Sequence, residues 1–256
     1  MFGISFTFEA KDGLLDRNRI LGVDLGVVNT AVLQIWDCEE KKYDWLSWKE
    51  CKLDGSRIIE FRQRVESRKR SFLRSRKVSG TTNQYSKGKK GRGTQVKIKP
   101  IDHLNNKISN FRDTMNHQYS KYIVDFALKH NCGIIQMEDL SEYTEKVKEK
   151  FLRNWSYYDL QSKIEYKAKE HGIEVVKIDP RYTSLRCSKC GCIDKRNRNG
   201  EKEQAKFKCV KCEYAENADV NAARNIALPD IEKIIEEVMP RKKKEKKKRK
   251  RAKKIA

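Results

Sequence analysis

The stretch Ile20–Trp36, ILGVDLGVVNTAVLQIW, contains two apolar runs separated by Gly26. Runs of this length, rich in Val, Ile and Leu and broken by a glycine, predict two β-strands joined by a tight turn. Tyr43–Trp48 predicts a third strand, which makes an antiparallel meander apolar enough to be central. Asp24 ends the first strand between Val23 and Leu25. Burying a carboxylate there is costly unless a cation compensates it.

Two later stretches repeat that setting. Gly133–Leu140, GIIQMEDL, is a short buried strand that delivers Glu138 at its end. Asp219, in NADVNAARN, opens a short helix that extends to Leu228. Singly, each acid has a plain structural use: Asp24 as a turn cap, Glu138 as an arginine partner, Asp219 as a helix N-terminal residue. Converging, they would form a hard oxygen site suited to Mg²⁺ or Mn²⁺, which leaves coordination positions for water and phosphate. Two ions held there could activate a water and stabilise the leaving oxygen of a phosphodiester. The order strand–acid, strand–acid, helix–acid on a meander is the layout of an α/β, RNase H-like fold.

Between the second and third acids lie Cys187-x-x-Cys190 and Cys209-x-x-Cys212, eighteen residues apart. Each pair puts two thiolates on one tight knuckle, and the spacing fits a closed, structural Zn²⁺ site. The other four of the eight cysteines, Cys38, Cys51, Cys132 and Cys192, are scattered, with Cys192 a bystander beside the first knuckle. That usage fits a reducing compartment.

The remaining elements follow from periodicity. Ile4–Phe8 alternates as a strand with nothing before it to pair with, and a turn-rich link follows. Ser56–Lys77 is a helix with Ile58, Phe61, Val65 and Phe72 on one face, and Ser79–Lys99 is a mobile basic loop. A long helix starts at Pro100, with Leu104, Ile108, Phe111, Met115, Tyr119, Tyr122, Ile123 and Phe126 as core, and ends near Asn131. Glu142–Asn154 is a polar lid or linker; Tyr157–His171 is a helix, Ile173–Asp179 a strand, and Asp230–Val238 a last helix.

The net charge of +22 is unevenly placed. Arg57–Lys99 has fifteen Lys/Arg against two acids, and Pro240–Ala256 has twelve against one, so the rest of the chain is slightly acidic. One-sided patches of this kind point to a polyanion, most simply nucleic acid. The candidate contacts are Arg62, Arg68, Lys69, Arg70, Arg74, Lys89, Lys90, Arg92 and Arg181. With no apolar run of membrane length and no signal peptide, the expected setting is cytoplasmic and nucleoid-associated, or nuclear in a eukaryotic host.

The segments GVDLGVVNTAV and IIQMEDL, and the four-cysteine block running into NADVNAARNIA, resemble the three RuvC segments and target-nucleic-acid-binding zinc ribbon of the TnpB transposon nucleases (OrfB-like transposases). Among them the chain is most similar to the miniature type V CRISPR effectors. The likeness runs from about Ile4 to Ile234 and takes in FRDTMNHQYSKYIVDFA, FLRNWSYYDLQSKI and KIDPRYTSLRCSKCG. It implies Asp24, Glu138 and Asp219 as catalytic carboxylates, zinc on Cys187, Cys190, Cys209 and Cys212, a guide RNA and a DNA substrate. In such proteins base pairing reads sequence while the protein reads a short flanking motif.

Two departures follow. The family places a recognition lobe and a wedge barrel before the first acid, whereas Asp24 has twenty-three residues ahead of it. Met1 then falls at the last wedge strand, and a homodimer or a separate N-terminal protein could supply what is missing. The tail beyond Pro240 adds salt-dependent phosphate affinity and resembles a nuclear localisation signal.

The resulting division is a residual wedge strand and linker (1–19), a RuvC nuclease domain (20–180) with a basic helix and loop at 56–99, a zinc ribbon (181–216), the last RuvC segment (217–239) and a disordered lysine-rich tail (240–256). The expected activity is metal-dependent DNA endonuclease. Its rivals are a truncated nucleic-acid-binding relative or partner subunit without cleavage, and a zinc-ribbon transcription or structural factor. The last would leave Asp24 and Glu138 without a purpose.

Overall fold

The computed structural model describes residues 15–26, 28–78, 92–140, 157–198 and 205–240. The expected strand at Ile4–Phe8, the segment 142–154, the tail from 241 and Lys89 and Lys90 lie outside these residues.

The glycine-centred stretch folds as read, into β1 (Asp16–Asp24) and β2 (Asn29–Asp37), paired antiparallel with Asp24 opposite Val32. The third strand is shorter than expected: β3 is only Lys42–Tyr43. The cause is local. Ser47 and Glu50 pair through their side chains at 2.8 Å, and the Glu50 and Cys51 amides donate to the Ser47 carbonyl. That starts α1 (Trp48–Cys51), after which β4 (Lys52–Asp54) returns along β2.

Two helices follow, α2 (Ser56–Val78) and α3 (Arg92–Lys129). The second corrects the boundary at Pro100, since residues 92–99, read as loop, are its first turns. Proline favours a first helical turn, which made Pro100 look like the start. Ile58, Val65, Leu104, Met115, Tyr119, Ile123 and Phe126 are buried as the spacing required. Phe61 stacks on Phe111 with ring centroids 3.9 Å apart, joining the two helices. Phe72 and Tyr122 depart from the core reading and stay exposed; Tyr122 instead donates to the Glu50 carbonyl.

The chain continues as β5 (Cys132–Glu138), α4 (Tyr157–Glu170) and β6 (Glu174–Ile178). It then forms a short 3₁₀ turn (Lys195–Asn197), the hairpin β7 (Lys206–Lys208) and β8 (Ala215–Asn217), α5 (Ala218–Ala227) and α6 (Ile231–Val238). The six-stranded sheet runs β3-β2-β1-β5-β6, with β4 on β2; β1, β5 and β6 are parallel.

Side chains alternate across this sheet, so one face covers α3 and α4 and the other covers α5. Leu21, Val23, Leu33, Ile35, Ile135 and Met137 pack with Met115, Ile123, Leu160 and Ile164. On the opposite face Val32 packs with Val220 and Ala223, while Gln34 and Gln136 bond to Arg224 and to the Leu228 carbonyl. Gly22 is what lets α5 approach. A Cβ there would lie 2.4 Å from the Ala223 carbonyl oxygen and 2.5 Å from the Ala227 nitrogen.

Candidate active site and metal centre

Because β1 and β5 are adjacent and parallel, with Val23 opposite Met137, their last residues Asp24 and Glu138 come out at one edge of the sheet. Asp219 reaches the same edge from the first turn of α5. Asn217 caps that helix by accepting from the Asp219 and Val220 amides at 2.9 and 3.3 Å. Asn29, the first residue of β2, donates to the Asp219 carboxylate at 2.7 Å.

The three acids share one field. Asp24 keeps some exposed surface, yet the protein crowds its carboxyl. That burial first, then the charges of Glu138 and Asp219, hold its pKa well above the carboxylate range, against the pull of Arg198. Glu138 is pushed up to about 7, by burial and by Asp179, opposed by the Thr183 hydrogen bond and by Arg198. Neighbouring carboxylates raised in this way mark a candidate functional site. They are set more openly than the thiols. Among the described residues only the four cysteines form a group whose ligand atoms all lie within 4.8 Å of one another.

That group is Cys187, Cys190, Cys209 and Cys212. The Cys187–Cys212 and Cys190–Cys209 sulfur separations are 3.7 and 3.6 Å. Tetrahedral zinc with bonds near 2.3 Å requires sulfurs about 3.8 Å apart, so the cage fits the ion. Both knuckles close in the same way. The Gly191 amide donates to the Cys187 carbonyl and the Glu213 amide to the Cys209 carbonyl, both donors having positive φ. Burial pushes the Cys187 thiol up to about 12. At Cys209 burial is outweighed by the Cys212 and Lys211 amides and the neighbouring thiols, which bring it down to about 7. Cys192 stays outside the cluster, and its carbonyl accepts from the Cys187 amide. Asn197 binds the knuckles together, donating to the Leu185 and Cys192 carbonyls and accepting from the Val210 amide.

The basic candidates divide. Arg68, Arg70 and Arg74 are exposed along α2, and Lys69 is half-buried. Arg62 is paired with Glu66 at 3.1 Å, and the Arg181 guanidinium sits 4.8 Å from the Tyr182 ring centre. Arg92 opens α3.

Residues 157–226 match the family model described as Cas12f1-like, TNB domain. The CRISPR-associated endodeoxyribonuclease Cas12f1 of Sulfoacidibacillus thermotolerans is 52% identical over 234 residues, covering 91% of this chain and 51% of that protein. The chain is a relative of the Cas12f1 and TnpB-like proteins. A TnpB-like protein of Methanocaldococcus jannaschii is 39% identical over 116 residues, 43% of this chain and 40% of its own. In structure, the chain resembles a protein solved as a Cas12f1–sgRNA–target DNA complex, with TM-score 0.64 and 28% identity, over 85% of this chain and 51% of that one. The chain therefore spans about half the length of the curated relatives it matches.

Sequence reasoning missed several residues at this edge. Arg198, from the ribbon, lies 3.9 Å from the Asp219 carboxylate. It sits in a basic run, KRNR, that reads as surface. Thr183, only 1% exposed, donates its hydroxyl to Glu138. Asn221 and Asn225 are fully buried. With Asn217 they recur every fourth residue, one face of a helix, and that periodicity could have singled them out.

Proposed function

We propose that the chain is the nuclease portion of an RNA-guided DNA endonuclease: an RNase H-like (RuvC) domain, residues 20–180 and 217–239, with a zinc ribbon at 181–216 inserted before its last segment. The observation that carries this reading is the meeting of Asp24 and Glu138 at the ends of adjacent parallel strands, with Asp219 tied to the same edge by Asn29. The sheet order, three antiparallel strands followed by two parallel ones, supports the RuvC assignment.

Asp24, Glu138 and Asp219 would hold Mg²⁺ or Mn²⁺. When bound, such ions supply an activated water and neutralise the leaving oxygen of a phosphodiester. Asn29 and Thr183 orient two of the carboxylates, and Arg198 brings a fixed positive charge to the edge where the DNA phosphate would arrive. Cys187, Cys190, Cys209 and Cys212 would hold one structural Zn²⁺. The exposed arginines of α2 offer a phosphate-tracking surface. A guide RNA and target DNA are the partners, on the likeness to the sgRNA–target DNA complex. Because the chain spans about half of its curated relatives, a binding-only role, or one completed by a second copy or a separate N-terminal protein, is the competing reading.

The test is cleavage of end-labelled single-stranded DNA in Mg²⁺ at low salt, beside Asp24→Ala and Glu138→Ala. Wild type should cut and both variants should lose at least about 100-fold in rate, on the scale of losing transition-state charge stabilisation. DNA left intact by all three, yet retained on the protein, would favour the binding-only role.

A further inference from the structure

Residues 183–188 link the two candidate metal sites, and the side-chain amides of two buried asparagines bond to them. Asn225 donates to the Thr183 carbonyl at 2.9 Å and to the Arg186 carbonyl at 2.6 Å, and accepts from the Arg186 guanidinium at 2.7 Å. Asn221 donates to the same Arg186 carbonyl at 2.8 Å and accepts from the Ser188 amide at 2.9 Å. Ser188 lies inside the first knuckle, between Cys187 and Cys190. At the other end of the turn the Thr183 hydroxyl stands between the Glu138 carboxylate and the Pro180 carbonyl, and donates to Glu138. A hydroxyl has one proton to give, and the Glu138 carboxylate, once ionised, is a stronger acceptor than a peptide carbonyl.

We propose that Thr183, Asn221 and Asn225 are positioning residues that couple the four-cysteine centre to the carboxylate site. The inference rests on the reading of Asp24, Glu138 and Asp219 as divalent-ion ligands. Zinc fixes the knuckle, and the knuckle fixes the turn at 183–188. From there Thr183 orients Glu138, while the two asparagines set the position of α5 and hence of Asp219. Asn225 uses both amide donors and its carbonyl on this turn, and Asn221 one donor and its carbonyl. Buried amides bonded in this way favour one geometry, which is why they can transmit it. Partners that orient metal ligands in this way are worth about 10–100-fold in metal affinity.

The experiment titrates Mn²⁺ into the full chain, following free Mn²⁺ by EPR, with zinc content measured on each sample. Thr183→Val keeps the shape of the side chain and removes the hydroxyl; Thr183→Ser restores it; Asn225→Asp removes both amide donors. Zinc-replete wild type should bind Mn²⁺ about 10-fold or more tightly than Thr183→Val and Asn225→Asp at unchanged zinc content, with Thr183→Ser close to wild type. Zinc removal should weaken Mn²⁺ binding in wild type and have a smaller further effect in Thr183→Val, because the route is already broken.

Thr183→Val binding Mn²⁺ as wild type does, while Glu138→Gln weakens it, overturns the coupling alone. Binding that ignores Glu138→Gln and Asp24→Asn, or no binding at all, overturns the carboxylate reading and the coupling with it. Hydrogen exchange on the unaltered chain covers the case in which the variants fail to fold. Zinc removal should deprotect 183–188 and the first turn of α5 while α3 and α4 stay protected, and unchanged protection of α5 counts against the proposal.

Discussion

Burial, the largest cause, pushes the Glu138 carboxyl up from its ordinary value of 4.5 to about 7. The sign of the linkage follows. Below 4.5 the group is protonated folded and unfolded and contributes nothing. Between 4.5 and 7 the unfolded chain loses the proton first, so stability falls as pH rises. Above 7 the full penalty is present. Glu138→Gln keeps an acceptor for Thr183 without the charge. At pH 8 without divalent ions it should be more stable than wild type by at most about 3 kcal/mol, and no more stable at pH 4. Saturating Mg²⁺ should shrink or reverse the difference. Thermal melts at the two pH values, with and without Mg²⁺, check this; a variant less stable than wild type at pH 8 in EDTA would contradict the assigned environment. The acid was legible in the sequence because it ends an apolar strand. Thr183 was not, since its contact with Glu138 spans 45 residues and depends on how the turn after β6 folds.

Between elements, the decisive approach is that of α5 to β1 over Gly22. Gly22→Ala would drive a methyl into helix backbone at Ala223 and Ala227, which cannot step aside as a side chain could. The expected cost is about 1–3 kcal/mol, together with lost cleavage, because displacing α5 displaces Asp219. A wild-type melting temperature with full activity would refute the close packing. The strands β1, β2 and β5 could be read as short apolar runs because both their faces are largely buried, and the helices α2, α4 and α5 from the helical spacing of their apolar residues. Tyr43–Trp48 was misread because Trp45 and Trp48 look like strand residues, whereas Trp45 is 87% exposed and Trp48 opens a helical turn. Pro100 misled for a related reason: it marks a plausible start within a helix that begins earlier. The clustering of the four cysteines was plain from spacing, but the asparagine bonds that join this segment to α5 depend on long-range contacts.

At the scale of the molecule, charge and site divide the labour. Arg68, Arg70 and Arg74 project from α2 while the acids and thiols sit at the sheet edge and in the ribbon. Exchanging those three arginines for glutamine should weaken single-stranded DNA binding uniformly across sequences and reduce the slope of log K against log salt by about 2, at roughly 0.7 per phosphate contact. An unchanged slope would move the DNA path elsewhere. The closed sulfur cage and the open carboxylate edge are then two sites of different character joined by one turn, residues 183–188. The central claim is that the carboxylates act on the scissile phosphate through divalent ions. The most direct measurement is cleavage of a DNA carrying one phosphorothioate at the cut position, in Mg²⁺ and in Mn²⁺. Sulfur should slow cutting in Mg²⁺, and the more thiophilic Mn²⁺ should restore it. Cutting that persists in EDTA, or is slowed by sulfur equally with both ions, would contradict the account.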